Sequence, residues 1–297
     1  MALGGLTGLL PRSLKTYYWR WHDGSLQNQL GWRLNAWKRS VFGESSDATL
    51  PYDWSTNPPR WSLIQDAISR RGYVSYLEIG CYNDECFNNV RCAHKVGVDP
   101  AVGGTVRKTS DEFFRDNKEM FDCIFIDGLH AYEQVSRDIY NAMACLSDRG
   151  IILLHDCMPC TIGEQAMPRE QVHWFGDVWK AIVEQRTRPD VDTAVCTVDR
   201  GVGVILKRPN TQRLRLLSGR TFQNFTFKEY VANHAQWMRP MEYEEILREL
   251  QMVSWSGKEQ CRNLGPSKIR VQQPQLGQSA IAKMTLAGLP SLRWRIA

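Results

Sequence analysis

Two hydrophobic periods alternate along the middle of the chain. Short, nearly continuous apolar runs end near residues 80, 99, 127 and 156, and stretches with apolar positions three or four residues apart lie between them. Continuous apolar runs are typical of strands buried on both faces, and the longer spacing is typical of amphipathic helices. Strict alternation of the two predicts an α/β fold with a doubly wound, mostly parallel sheet.

The pattern predicts the following elements. Strands are expected at residues 73–80, 95–99, 121–127, 151–156, 191–198 and 202–207. Helices are expected at residues 61–71, 84–92, 132–146, 176–186, 228–238 and 243–252, with one more that begins at Ser110 as its N-cap and continues through Asp111. The turn 148–150 is expected to precede the fourth strand.

The end of the predicted sheet has a distinct connection. Only Asp199, Arg200 and Gly201 separate the last two strands. A parallel crossover needs a dozen or more residues, so the final strand must run antiparallel to its predecessor. The sheet is therefore expected to finish with one hairpin strand.

Sequence composition divides the chain into four predicted regions. Residues 60–208 hold the alternating pattern, 209–264 form a helical extension, and 265–297 are rich in Gln and Pro and expected to be poorly ordered. Residues 1–59 form an extension in which aromatic and basic residues mix. We expect residues 1–50 to dock on a protein surface, their own domain before a partner subunit, rather than to enter a bilayer. Contact with a membrane surface stays open but is not favoured.

Charge is distributed unevenly over these regions. Residues 1–50 carry six Lys/Arg and three acids, 51–207 carry 17 and 23, and 208–297 carry 14 and six. The basic residues of the last segment are dispersed, which favours a solvated surface over nucleic-acid binding. No apolar run reaches the roughly 18–20 residues that cross a bilayer, and no secretory signal pattern is present. These features predict a cytoplasmic protein, and leave a homo-oligomer open.

The nine cysteines are odd in number and scattered. Cys157 and Cys160 have the spacing of a redox or zinc motif, but a structural zinc site needs four ligands and no second such pair exists. Reduced, buried thiols are the favoured interpretation.

Candidate chemistry lies where the predicted strands end. Ligands of open α/β sheets bind outside the carboxyl ends of the strands. Acidic residues stand at four such ends: Glu78, Asp99, Asp127 and Asp156. A carboxylate at the second end can accept hydrogen bonds from both hydroxyls of a ribose, and Gly80 allows a close approach of the backbone. The dinucleotide fingerprint G-x-G-x-x-G is absent, and so many carboxylates would repel a pyrophosphate. S-adenosylmethionine, which has a ribose, a cationic sulfonium and no phosphate, suits this rim.

Seven segments resemble a known family when taken in order. They are YLEIGCYND, HKVGVDP, TSDEFF, FDCIFIDGLHAYEQVSRDI, RGIILLHDCMP, GDVWKAI and DRGVGVI. Together they look like the class I S-adenosylmethionine-dependent methyltransferases, in particular the macrocin-type and related sugar O-methyltransferases. The resemblance covers about residues 60–207, and its most specific part is IDGLHAYEQV followed by a strand that ends in His-Asp. It implies a Rossmann-like fold with a seven-stranded sheet.

The resemblance also implies roles for individual residues. The cofactor would lie on Glu78, Gly80, Cys81, Asp99, Ser110, Asp111 and Asp127. The acceptor would face His130, His155 and Asp156, and a divalent metal such as Mg²⁺ would bind Asp127 and Asp156. Here His155 replaces one member of the usual acidic pair, which weakens a hard-oxygen magnesium site. The family's second glycine, near Glu85, is missing, which predicts a tighter loop or weaker cofactor binding.

The functional hypothesis is transfer of a methyl group to a hydroxyl of a sugar, glycan or similar small polar acceptor. An alcohol needs a general base or a metal, and His130 is the leading base, with Asp156 facing the cleft and His155 supporting it. Structural interpretations stay open: Glu78 as a local pair, Asp99 as a turn former, Asp111 as part of a helix start, and His130 as a helix residue. An inactive, methyltransferase-fold scaffold protein is the main alternative, and a nucleic-acid methyltransferase is disfavoured.

Overall fold

The protein was analysed as a computed structural model that describes residues 26–55, 57–216 and 221–251. The strands are β1 (Ser75–Ile79), β2 (His94–Val98), β3 (Phe121–Ile126), β4 (Leu146–Leu154), β5 (Asp192–Cys196), β6 (Val202–Leu206) and β7 (Pro240–Met241). The α-helices are α1 (Leu26–Phe42), α2 (Arg60–Arg71), α3 (Glu85–Asn89), α4 (Ser110–Asp116), α5 (Tyr132–Cys145), α6 (Ile162–Gln165), α7 (Trp179–Arg186), α8 (Phe227–Met238) and α9 (Tyr243–Gln251).

The seven strands form one sheet in the order β2-β1-β3-β4-β6-β5-β7. Strand β6 lies between β4 and β5 and is antiparallel to both, and the other pairings are parallel. The doubly wound sheet with a terminal hairpin strand, predicted from the short link, is thereby confirmed. Because β5 runs parallel to β4, the link between β5 and β6 lies at the same edge as the carboxyl ends of β1 to β4.

Successive side chains of the strands point to opposite faces of the sheet, and both faces are buried, which explains the continuous apolar character of the strands. Leu77, Ile124 and Ile152 pack in one hydrophobic layer with α5 and α7, and Tyr76, Phe125 and Leu153 pack in another with α2 and α9. Both faces of the sheet are therefore covered, as expected for parallel strands.

Several predicted boundaries differ from the structure. Strand β4 begins at Leu146, and residues 147–150 bulge out of its pairing with β3, because Phe121 pairs with Leu146 and Cys123 with Ile151. Helix α7 begins at Trp179 rather than at Gly176, whose φ of 61° is left-handed. The short strand β7 and helix α6 were not predicted.

The N-cap of α4 was also predicted wrongly. Thr109, not Ser110, caps the helix: its hydroxyl accepts from the Glu112 backbone N–H, and the Glu112 carboxylate binds the Thr109 N–H. This reciprocal pair is a capping box. Ser110 is consequently the first helical residue, and its hydroxyl does not cap the helix but accepts a hydrogen bond from Gln134.

The segments outside the alternating pattern pack on the same sheet. The Trp237 ring of α8 stacks on Trp179 of α7, with centroids 6.1 Å apart, and Ile246, Leu247 and Leu250 of α9 are buried. None of the described helices is both long and apolar enough to cross a membrane. The predicted disorder of residues 265–297 concerns residues that lie outside those described. The eight described cysteines are free thiols, Cys157 and Cys160 among them.

Candidate active site

A cavity of about 980 Å³ opens at the carboxyl ends of the parallel strands. All of the residues predicted to form the site line it: Glu78, Gly80, Cys81, Asp99, Ser110, Asp111, Asp127, His130, His155 and Asp156. The volume lies at the upper end for small-molecule sites and leaves room for two ligands side by side.

The charged groups that line the cavity are mostly acidic. Seven carboxylates (Glu78, Glu85, Asp99, Asp111, Asp127, Asp156 and Asp199) face three guanidiniums (Arg60, Arg169 and Arg200). Such a lining favours a cationic ligand over an anionic one such as a pyrophosphate.

The tip of β1 combines a buried acid with a glycine that no other residue can replace without strain. Glu78 is almost fully buried and accepts a 2.5 Å hydrogen bond from the Tyr76 hydroxyl. Burial raises the pKa of Glu78 to about 7. Gly80 has a φ of 87°, and a Cβ there would lie 2.1 Å from the backbone oxygen of Asp127. The strand tips thus approach each other as closely as a glycine permits.

Glu78 makes the stability of the ligand-free protein depend on pH. Its pKa is higher in the folded protein than its ordinary value of 4.5, so the fold binds an extra proton between about pH 4.5 and 7. Stability contributed by the protonated group is therefore present at low pH and is lost as pH rises through about 7. Glu78→Gln keeps an acceptor for Tyr76 and should raise the free energy of unfolding by about 2–3 kcal/mol at pH 8.5, but hardly at pH 4. Denaturant unfolding at both pH values measures this, and an equal effect at the two values would contradict it.

The loop after β1 turns without the family's second glycine. Tyr82 and Asp84 adopt left-handed conformations, with φ of 46° and 62°. The Asp84 carboxylate accepts a 2.6 Å hydrogen bond from the Gly104 N–H, which anchors the loop. The turn expected of glycine is thus made by non-glycine residues whose conformation is held by tertiary contacts.

Asp99 organises the tip of β2 and still faces the cavity. Its Oδ1 accepts from the N–H groups of Ala101 and Val102, and its Oδ2 accepts from the Tyr82 N–H, at 2.8–2.9 Å. The turn-forming interpretation is therefore correct. A carboxylate has about four acceptor positions, so it can bind a hydroxyl as well.

Ser110 and Asp111 share a hydrogen-bond partner, Gln134 of α5. The Gln134 amide of α5 donates to the Ser110 hydroxyl at 3.1 Å and to the Asp111 carboxylate at 3.2 Å. Asp111 also pairs with Arg137 at 3.0 Å. Both side chains are thus positioned by α5 as well as by the start of α4.

Asp127 at the tip of β3 binds two histidines. Its Oδ1 lies 3.2 Å from His130 Nε2 and 3.2 Å from His155 Nδ1, and its Oδ2 lies 3.6 Å from Arg60 Nε. Burial would raise the pKa of Asp127, but His155, His130 and Arg60 lower it well below its ordinary value. The carboxylate is ionised.

His130 is held between two carboxylates and an indole. Its Nε2 faces Asp127, its Nδ1 lies 3.3 Å from Asp156 Oδ2, and its ring stacks on Trp174 with centroids 5.5 Å apart. Burial lowers the pKa of His130, but the hydrogen bond to Asp127 and the charge of Asp156 more than offset it and leave the pKa raised. Gly176 supports the backbone here, because a Cβ at Gly176 would meet the His130 carbonyl at 1.8 Å.

His155 lies behind this group, in contact with three carboxylates. Its Nδ1 lies 3.2 Å from Asp127 and 3.4 Å from Asp156, and its Nε2 lies 3.4 Å from Asp199. Burial opposes the charge, but Asp156 and Asp127 raise the pKa of His155 to about 10. With an exposure of only 4%, the imidazolium holds the carboxylates in place rather than meeting a ligand.

The chain turns sharply at Asp156, where φ is 55°. Both His155 and Asp156 can therefore point toward the same cluster, although they are consecutive. Ligand atoms of Asp127, His130 and Asp156 lie within 4.8 Å of one another, close enough to hold a metal ion. The predicted pair of metal ligands is thus joined by His130.

Sequence reasoning missed several residues of the cavity. Asp199 accepts hydrogen bonds from the Arg60 backbone N–H at 2.8 Å and from its guanidinium at 3.2 Å. Arg60 is the first residue of α2 and nearly buried, and its contact with Asp127 and Asp199 ties three parts of the chain together. Arg169, Trp174 and Arg200 also line the cavity. Asp199 could have been predicted from the topology, because it follows β5 at the edge of the sheet where ligands bind. No pattern in the sequence indicates that Arg60 belongs to the site.

Comparison with known proteins adds to this geometry. Residues 77–157 match a family described as a methyltransferase domain. This range contains all ten predicted site residues, the whole of β2 to β4 and the last three residues of β1. Over these residues the chain is similar to a methyltransferase domain, and the sheet with its antiparallel strand β6 agrees with that fold. The match and the sheet order support an S-adenosylmethionine-dependent methyltransferase. No curated protein matches the chain.

A comparison with solved structures aligns the chain with methyltransferases at low sequence identity. The O-methyltransferase TomG from Streptomyces achromogenes, solved with S-adenosylmethionine, is 14% identical over 61% of this chain and 98% of its own, with a TM-score of 0.38. The methyltransferase PaMTH1 from Podospora anserina is 18% identical over 67% and 98%, with a TM-score of 0.40. An O-methyltransferase from Bacillus cereus is 13% identical over 60% and 99%, with a TM-score of 0.35.

Proposed function

We propose that the protein transfers a methyl group from S-adenosylmethionine to a hydroxyl of a sugar, glycan or similar small polar acceptor. The observation that carries this proposal is the position of His130, which lies between Asp127 and Asp156 in the wall of an acidic cavity. An acidic cavity accommodates the sulfonium, and an imidazole flanked by carboxylates can take a proton from an alcohol.

The cofactor fits the part of the cavity formed by β1, β2 and α4. Asp99 would accept the ribose hydroxyls, and Ser110 and Asp111 would lie beside the adenine. Glu78, at the bottom of the cavity, would face the cationic amino-acid end. Gly80 supports this arrangement because its missing side chain lets the backbone of Asp127 lie against the tip of β1.

The acceptor fits the opposite part, beside His130 and Trp174. Methyl transfer is an in-line displacement, so the protein must place the acceptor oxygen and remove its proton. His130 would receive that proton, and Asp127 and Asp156 would orient the ring and stabilise its charge. His155 would position the two carboxylates. Trp174, which stacks on the His130 ring, would help to hold that ring in place.

A metal-assisted reaction is a second candidate, favoured by the three converging ligand atoms. Oδ1 of Asp156 is buried and accepts no hydrogen bond from the described residues, although His155 Nδ1 lies 3.4 Å and Arg200 Nη1 3.8 Å from it. Two carboxylates and an imidazole suit Mn²⁺, Fe²⁺ or Zn²⁺ better than Mg²⁺. Such an ion would act as a Lewis acid on the acceptor oxygen, and His130 would then be a ligand instead of a base.

Asp99→Ala tests the cofactor assignment. Loss of a hydrogen bond to a charged group costs about 1.5–3 kcal/mol, so affinity for S-adenosylmethionine should fall roughly 10- to 150-fold. Calorimetric titration measures it, with Asp116→Ala as a control, since Asp116 is an exposed acid on α4. Unchanged affinity in Asp99→Ala would show that the ribose lies elsewhere. Absence of binding by the unaltered protein would favour an inactive scaffold with this fold.

A further inference from the structure

Helix α1 presents two contrasting faces. Its polar face rests on its own domain: the Asn35 amide donates to the Arg169 carbonyl at 2.9 Å, and Arg39 pairs with Glu170 at 2.8 Å. The Arg169 guanidinium lies over the Trp32 ring, 4.8 Å from its centroid. Helix α1 is thereby fixed to the loop that supplies Arg169, Val172 and Trp174 to the cavity wall.

The opposite face of α1 is an exposed apolar stripe. Leu30, Leu34, Trp37 and Val41 are spaced by four, three and four residues and are 66%, 49%, 56% and 53% exposed. Positions at this spacing lie within one side of a helix. Amphipathic helices of globular proteins normally turn such a stripe toward the core. Here the polar side faces the protein, so the apolar stripe points away from the described part of the chain.

Exposed cations border the stripe on both sides. Arg33 and Lys38 flank it at helical angles close to its edges, and residues 26–42 contain no acid. If two copies of α1 paired through the stripe, these positions would be those that meet across the interface in a coiled coil, and like charges there oppose pairing. A second copy of this helix is therefore a poor occupant.

The chain's own termini are poor occupants for the same reason. Residues 1–25 carry three Lys/Arg and one acid, and residues 252–297 carry seven Lys/Arg and one acid. The occupant must offer an apolar surface with negative charge at its edges.

An anionic lipid surface meets both requirements. Cations beside an apolar stripe can extend toward lipid phosphates while the apolar side chains enter the interface. The sequence before the helix continues this composition, with Tyr17, Tyr18, Trp19 and Trp21 close to Arg20. Trp and Tyr next to basic residues are typical of segments at a membrane interface, whereas an acidic protein groove would require no such extension.

We infer that the outer face of α1 docks the protein on an anionic membrane surface. The polar face of the helix packs on the protein, and the apolar face is left for lipid. Docking would bring the loop of Arg169 and Val172, and with it one wall of the cavity, close to the lipid surface.

Sedimentation of the full chain with lipid vesicles tests this inference. The protein should sediment with phosphatidylcholine vesicles that contain phosphatidylglycerol and much less with pure phosphatidylcholine, and added salt should weaken the binding. The triple variant Leu30→Gln/Leu34→Gln/Trp37→Gln should bind at least about tenfold more weakly, because apolar surface no longer enters the interface. Arg33→Glu/Lys38→Glu should lose the preference for the anionic lipid.

A matched control removes an exposed apolar side chain elsewhere. Tyr140→Gln, on α5, alters a residue that is 70% exposed, and it should bind vesicles like the unaltered protein. Circular dichroism shows whether each variant is folded. Equal vesicle binding by the triple variant would overturn the inference. So would a dimer in light scattering that the triple variant abolishes, or tighter binding to an acidic amphipathic peptide than to the vesicles.

Discussion

Replacing His130 by alanine is expected to lower the rate of methyl transfer by about 10²- to 10⁴-fold, the range for removal of a general base. Affinity for S-adenosylmethionine should change by less than about twofold, since the other part of the cavity holds that ligand. The rate is measured with methyl-labelled S-adenosylmethionine and a panel of sugars, polyols and phenols as acceptors. Asp156→Ala should give a similar loss, because Asp156 lies 3.3 Å from His130 Nδ1.

His94→Ala is the matched control for this experiment. His94 also pairs with a carboxylate, that of Glu119 at 2.7 Å, but on an exposed part of β2. Its variant should turn over like the unaltered protein. If His130→Ala and Asp156→Ala also did so, this end of the sheet would be scaffold and the chemistry would lie elsewhere.

Treatment with a chelator separates the two proposed roles of His130. Activity that survives dialysis against EDTA identifies His130 as the base. Activity that is lost and returns with Mn²⁺ or Zn²⁺ identifies it as a ligand of the site formed with Asp127 and Asp156.

Gly80→Ala is expected to reduce methyl transfer by roughly 100-fold or more, as a misplacement of about 1 Å commonly does. The added Cβ would lie 2.1 Å from the backbone oxygen of Asp127, and no side-chain rotation can relieve that contact. The tip of β1 or of β3 must therefore move, and with it Glu78 or Asp127. Affinity for S-adenosylmethionine should fall as well.

Gly72→Ala separates this effect from that of backbone conformation alone. Gly72 at the end of α2 also has a left-handed φ, of 64°, but nothing lies within 4 Å of an added Cβ. Its variant should lose only about 1 kcal/mol of stability and retain full activity. Equal behaviour of the two variants in thermal unfolding and turnover would show that the contact with Asp127 does not matter.

The sequence determines where the site lies because two regular rules converge. Continuous apolar strands predict a parallel sheet, and ligands of such sheets bind at the carboxyl ends. Reading the residues at those ends gives Glu78, Asp99, Asp127 and Asp156, all of which line the cavity. The short link 199–201 likewise predicts the hairpin strand that the sheet contains.

The contacts inside the site depend on tertiary structure and could not be predicted. Arg60 reaches Asp127 and Asp199 from the start of a helix far away in the sequence. Consecutive residues of a strand normally point to opposite sides, and only the left-handed conformation of Asp156 shows that the chain turns at this point. The N-cap at Thr109 was missed because Ser110 has an equally suitable side chain. The backbone conformation in the folded protein decides which of the two adjacent residues caps the helix.

Helix α1 illustrates a different limit. Its aromatic and basic composition indicates a surface, but composition alone does not show which side of the helix meets the protein. Contacts of Asn35 and Arg39 settle that side, and the exposed stripe follows from it. The expectation that residues 1–50 dock on a protein surface agrees with these contacts of α1, and the exposed stripe is the basis of the proposal that lipid covers the other side.

Calorimetric titration of the full chain with S-adenosylmethionine tests the central claim most directly. The account predicts one molecule bound per chain, competition by S-adenosylhomocysteine, no binding of NAD, and a loss of roughly 10- to 150-fold in affinity in Asp99→Ala. A protein that bound NAD instead, or that bound neither nucleoside, would contradict the account and leave the acidic cavity at the strand ends without its proposed ligand.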